Sequence, residues 1–221
     1  MQKEIKLGNG SFLVGMERRL TTFLCRFVPA SIGTKHLTML SLFCALLIPL
    51  GYYLSAKKPA FLFLASFFIL MQWIFDCLDG AIGRLRKEGF VRWGFYMDHL
   101  FDYFFMSAIV MGFWCLFPEL KFQIFVMFFL FSSFMVNFFL LYASIKDREP
   151  NLTVSFWHFS PIEFRLLVII LNAMLYFFEG TTRHLIYKYL ASFNICLLVI
   201  LVMVIFLCQK KLNDYDVDEK K

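Results

Sequence analysis

Charge is scarce in this chain. Of its 221 residues, 17% are Asp, Glu, Lys or Arg and 60% are hydrophobic, with 31 phenylalanines. Soluble globular domains and disordered chains both carry more charge than this, so both classes are excluded. No linker of low complexity and no internal repeat divides the sequence, which argues against an array of domains. The six cysteines, Cys25, Cys44, Cys77, Cys115, Cys196 and Cys208, sit nearly all within apolar runs. None forms a CxxC or a Cys/His cluster, so a zinc centre and a disulfide framework give way to buried small hydrophobes. No cleavable leader is expected either. Met1 to Gly10 is polar and no short apolar core with a small-residue cleavage site follows, so the first span is expected to direct insertion.

What is present is a succession of apolar runs long enough to cross a bilayer, each near the roughly 20 residues a helix needs. Six spans are expected, at 37–56, 60–82, 95–117, 122–145, 161–178 and 185–208. Lipid leaves backbone groups unsatisfied outside closed structures, so the fold class is all-α: a polytopic bundle of six transmembrane helices. Residues 1–36 form an interfacial N-terminal segment, 37–208 the membrane domain and 209–221 a solvated tail. Within the first segment, Met16 to Val28 sets Arg18, Arg19 and Arg26 against Leu20, Phe23, Leu24 and Phe27 at helical spacing, an amphipathic helix suited to the headgroup plane.

Basic residues set the orientation. The N-terminal segment, the connection with Arg84, Arg86, Lys87 and Arg92, the loop with Lys146 and Arg148, and the tail with Lys210 and Lys211 all fall on one side. Lys57, Lys58, Lys121, Arg183 and Lys188 fall on the other. The excess places both termini and the 83–94 connection in the cytoplasm of an integral membrane protein, with a bacterial inner membrane as the expected setting. The formal net charge of +6 then points to anionic lipid headgroups as partners rather than nucleic acid. The Asn151-Leu152-Thr153 sequon lies on the predicted cytoplasmic side and carries no weight.

Against this apolar background one stretch stands out. Asp76 and Asp79 are three residues apart near the cytoplasmic end of the second span, and Asp98 and Asp102 are four apart at the start of the third. Each pair shares a helix face. A short connection makes the two helices antiparallel neighbours, so the four carboxylates are expected to converge. Ionisable groups in spans are functional candidates because desolvating them is costly. One arginine cannot balance four negative charges, whereas two divalent ions can. Oxygen ligands suit Mg²⁺, Mn²⁺ or Ca²⁺, and an ion pair of this kind stabilises in-line phosphoryl displacement. Gly80, Gly83 and Gly94 leave room for a helix or a ligand, and the Arg84 fork can pair with phosphate oxygens.

The run Asp76-x2-Asp79-Gly80-x2-Gly83-Arg84-x9-Gly94-x3-Asp98-x3-Asp102 closely resembles the signature of the CDP-alcohol phosphotransferase family. Seven of its eight fixed positions match across 27 residues, with Gly83 standing where the family has Ala. The resemblance implies a six-helix membrane enzyme, usually a homodimer, that releases CMP and makes a phosphodiester. It implies that Asp76, Asp79 and Asp98 are metal ligands, with Asp102 at the same site and acting as general base on the acceptor hydroxyl. Gly80 and Arg84 would contact the CDP part of the donor, and Gly83 and Gly94 would shape the nucleotide pocket. Thr38 is the one position that resembles a Pro-Asn-x-x-Thr stretch found before the first span in many members, and it is assigned to the donor.

The acceptor is less legible. Pro161 opens the fifth span, and Glu163 and Arg165 follow near the level of the aspartates. Together with Arg148 and His99 they are candidates for an acceptor pocket, although His99 points roughly 100° away from Asp98 on its helix and packing alone would account for it. The Arg86-Lys87-Glu88 run reads as a solvated loop. The chain is expected to use CDP-diacylglycerol and a small polar alcohol. Its Pro-x-Glu and Asp-His-x-x-Asp patterns also resemble the branch that pairs CDP-choline or CDP-ethanolamine with diacylglycerol. A divalent-cation transporter and an inactive scaffold are the alternatives from other classes. The first leaves the glycine and arginine spacing unexplained, and the second leaves four costly charges unexplained.

Overall fold

The computed structural model describes residues 6–7, 12–88, 91–145, 155–156 and 161–218. Seven helices make up nearly all of them: α1 (Phe12–Leu24), α2 (Thr34–Ser55), α3 (Phe61–Arg86), α4 (Val91–Leu116), α5 (Lys121–Ile145), α6 (Pro161–Phe177) and α7 (Glu179–Asp218). Among the described residues the only extended pairing is two residues long, Lys6–Leu7 beside Ser155–Phe156. The protein is all-α and polytopic, an integral membrane protein by its apolar helices.

Five segments are long and apolar enough to cross a membrane: Thr34–Ser55, Phe61–Arg86, Tyr96–Leu116, Pro118–Leu141 and Glu179–Lys210. The expected sixth, α6, has 17 residues. That is roughly 25 Å of helix, short of a hydrocarbon core of about 30 Å. It packs against α3 and α7, with Ile162, Val168 and Leu175 buried. At the C-terminus the 40-residue α7 runs through Asp218, so the helix continues past the expected end of the last span at 208.

Helix association in lipid depends on close packing, because moving an apolar side chain from lipid to protein gains little. At Gly51 of α2 an added Cβ would lie 2.8 Å from Ala65 Cα of α3, so the two backbones meet only because that position is glycine. At Gly112 of α4 an added Cβ would overlap the Tyr52 ring of α2. Tyr52 is fully buried, and its hydroxyl donates to Asn172 Oδ1 at 2.9 Å, while Asn172 Nδ2 donates to Ser66 Oγ at 3.0 Å. This polar clasp ties α6 to α2 and α3 inside the apolar bundle.

The helices α3 and α4, expected to be direct neighbours, barely touch. Helix α2 packs against both, and α6 packs against α3. The acidic ends of α3 and α4 therefore face each other across a gap.

Helix α1 confirms the amphipathic reading in form. Met16, Leu20 and Phe23 are exposed, as is Phe27 in the 3-10 turn that follows, while the opposite side packs on α3 and α6. The 86–88 run is not a solvated loop. Arg86 Nη1 donates to Ile32 O at 2.6 Å, and its Nη2 donates to Val28 O at 2.9 Å and Pro29 O at 3.1 Å, which clamps the α1–α2 connector. Glu88 Oε2 accepts from Thr34 N–H at 3.0 Å, satisfying one of the orphan donors at the start of α2. Lys87 turns left-handed (φ 53°) to end α3 between these two contacts.

Candidate active site

The gap between α3 and α4 contains a cavity of about 640 Å³. Asp76, Asp79, Gly80 and Arg84 line it from α3, and Asp98 and Asp102 line it from α4. Helical spacing places each acidic pair on one face, and the fold turns both faces inward. The third wall is α1, which supplies Glu17, Arg18, Thr21 and Thr22.

Each carboxylate has a different setting. Asp79 is 4% exposed, and Thr38 Oγ1 donates to its Oδ2 at 2.8 Å. Thr34 Oγ1 donates to the backbone oxygen of Asp79 at 3.2 Å. The capped first turn of α2 thus holds Asp79 from behind. Asp76 and Asp102 share one partner, Arg165 of α6, whose Nη2 lies 3.0 Å from Asp76 Oδ2 and 3.4 Å from Asp102 Oδ1. Asp98 is exposed at the cavity.

The glycines have separate roles. An added Cβ at Gly80 would lie 3.2 Å from Arg84 Nη1, so glycine there lets the guanidinium fold back over the helix backbone. An added Cβ at Gly83 would lie 3.0 Å from Thr34 Oγ1, the hydroxyl bonded to Asp79. The departure from the signature at this position thus makes room for a tight α2–α3 contact. Gly94 has open space around it and does not line the cavity.

Several candidates lie away from the cavity surface. Thr38 is 2% exposed and reaches the site through Asp79. The His99 ring is 5.0 Å from the Phe139 ring, turned toward α5. Glu163 is half-buried in the first turn of α6. Arg165, expected at an acceptor pocket, is 4% exposed and committed to carboxylates. Arg148 lies outside the described residues, as do Lys146 and the Asn151 sequon.

Sequence reasoning passed over two groups. Gln72 and Ser41 are fully buried behind Arg165, and a polar residue inside an apolar run was the available signal for both. Glu17 accepts from Trp73 Nε1 at 3.3 Å, which pins α1 to α3. It is the one acid in the basic stretch Met16 to Val28.

Electrostatically the site is unbalanced. Five carboxylates (Glu17, Asp76, Asp79, Asp98, Asp102) face three guanidinium groups (Arg18, Arg84, Arg165). A net negative, oxygen-rich cavity suits hard divalent cations. Among the described residues no three His, Cys, Asp or Glu side chains are set together to hold an ion. Asp76 and Asp102 turn to Arg165 instead, and Asp79 turns to Thr38.

No curated protein and no solved structure matches the chain significantly. A family model, described as CDP-alcohol phosphatidyltransferase, matches residues 34–209, a segment that holds all four aspartates, Gly80 and Arg84 but not α1. Together with the all-α membrane fold and the acidic cavity, that match over most of the sequence places the chain in the CDP-alcohol phosphatidyltransferase family.

Proposed function

We propose that the protein transfers a phosphatidyl group from CDP-diacylglycerol to a small polar alcohol, with release of CMP. The family accounts for transfer from a CDP-alcohol to an acceptor. The observation that carries the fuller reading is the single cavity into which α3 and α4 together deliver four carboxylates, with Gly80 and Arg84 beside them.

In this reading Asp76, Asp79 and Asp98 hold two Mg²⁺ or Mn²⁺ ions with Asp102 beside them. When bound, the ions neutralise charge on the pyrophosphate as the leaving group departs. The chain's own groups do the rest. Arg84 pairs with phosphate oxygens through its planar fork, and the bare backbone at Gly80 lets the donor approach. Gly83 serves the nucleotide pocket indirectly, through the close α2–α3 contact it permits, Gly94 leaves the space beside it open, and Thr38 serves the pocket by steadying Asp79. The Asp102 carboxylate accepts the proton of the acceptor hydroxyl. The freed oxygen attacks the phosphorus that carries the diacylglycerol. A new P–O bond forms, the P–O bond to CMP breaks, and CMP leaves with the bonding pair.

The acceptor enters beside α1, where Arg18, Thr21 and Thr22 face the cavity. The site opens to the cytoplasm of a bacterial inner membrane, and the enzyme works as a homodimer.

The test is CMP release by purified protein with Mg²⁺ or Mn²⁺. The acceptor panel is glycerol 3-phosphate, serine, inositol and inositol phosphate with CDP-diacylglycerol, and diacylglycerol with CDP-choline or CDP-ethanolamine. Release that requires both CDP-diacylglycerol and one small alcohol supports the reading. Release only from CDP-choline or CDP-ethanolamine moves the protein to the other branch. Metal flux into proteoliposomes with no CMP release from any pair would replace the enzyme with a transporter.

A further inference from the structure

Arg165 is gripped from several sides. Its Nε donates to Gln72 Oε1 at 3.0 Å, its Nη2 reaches Asp76 and Asp102, and its guanidinium lies 4.9 Å from the Phe105 ring centroid. Gln72 is 0% exposed, and its Nε2 donates to Ser41 Oγ at 3.2 Å. With the amide nitrogen engaged on Ser41, the amide oxygen is left to face Arg165. A continuous chain therefore runs from Ser41 on α2, through Gln72 on α3 and Arg165 on α6, to Asp76 on α3 and Asp102 on α4. It spans the place where α3 and α4 barely touch.

We propose that Arg165 is a positioning residue that holds Asp76 and Asp102 at a fixed separation, and that the Gln72 amide sets its orientation. The proposal rests on the functional reading above, which makes these two carboxylates ligand and base. Burial keeps the guanidinium from reaching an acceptor in the cavity. A lysine could not replace it, because a single ammonium cannot bond Gln72 through one nitrogen and both carboxylates through another. Losing the Gln72 oxygen frees Nε, and the two helices lose their common anchor. Outer partners of this kind are worth about 10–100-fold in metal affinity or activity.

Full-length protein in nanodiscs decides the matter with three variants: Gln72→Met, similar in shape but without the acceptor, Gln72→Glu, which keeps an acceptor oxygen, and Arg165→Lys. Three readouts are needed: Mn²⁺ titration by electron paramagnetic resonance without substrate, kcat and KM for CMP release, and thermal stability. Gln72→Met and Arg165→Lys are expected to weaken Mn²⁺ binding or lower kcat about 10–100-fold while KM for the CDP donor stays within about twofold. Gln72→Glu is expected to recover most of that loss. Wild-type behaviour of Gln72→Met in both Mn²⁺ binding and kcat would overturn the proposal. Equal impairment of the Met and Glu variants, tracking a loss of stability, would also overturn it. If the wild type releases no CMP from any substrate pair, the functional reading fails, and the Mn²⁺ titrations still decide the positioning role. A wild type that does neither overturns both.

Discussion

Replacing Thr38 by valine removes one hydroxyl and almost no volume. That hydroxyl is 2.8 Å from Asp79 Oδ2 and 2.9 Å from Thr34 O, and it has one proton for the two. An ionised carboxylate only accepts, so the proton belongs to Asp79. Both residues are buried, Thr38 at 2% and Asp79 at 4% exposure, so water cannot take the place of the lost donor. A hydrogen bond to a charged group contributes about 1.5–3 kcal/mol. For a chain of this length each kcal/mol moves Tm by roughly 2–4 °C, so Thr38→Val should lower Tm by about 3–12 °C. The measurement belongs in EDTA, where no ion can supply the missing counter-charge. Thr38→Ser keeps the donor and should recover most of the loss. A Tm for Thr38→Val within about 1 °C of wild type would refute the view that Asp79 depends on α2.

The remaining predictions concern the same architecture. Asp102→Asn should cut CMP release by about 10²–10⁴ while CDP binding, followed by calorimetry, is retained; normal turnover would remove its assignment as base. Gly51→Leu should break the α2–α3 contact, because even a Cβ would lie 2.8 Å from Ala65 Cα; overpacking of about 1–3 kcal/mol should appear as a lower Tm in detergent. Arg86→Met removes all three bonds to the α1–α2 connector, and limited proteolysis between residues 28 and 33 should quicken. An unchanged cleavage rate would mean that the connector is held by other contacts.

The sequence by itself determined the class of fold and the identity of the acidic residues. Bilayer thickness sets helix length, so runs of apolar residues marked the spans without tertiary information. Their spacing put Asp76 with Asp79, and Asp98 with Asp102, because helical periodicity is local. The expected 161–178 span matches α6 to within a residue, whereas α7 carries on past 208 into polar residues. What surrounds the carboxylates could not be read in the same way. Thr38 lies 41 residues from Asp79, and Arg165 lies 63 from Asp102 and 93 from Gln72; no local pattern links such positions. Only packing revealed that α3 and α4 stand apart, that α1 closes the cavity between them and that one buried arginine joins their acids. The reason is physical: periodicity fixes the face a side chain occupies on its own helix, whereas the helix it meets depends on close contacts such as Gly51 on Ala65 and Gly83 on Thr34, which exist only once the whole bundle has assembled.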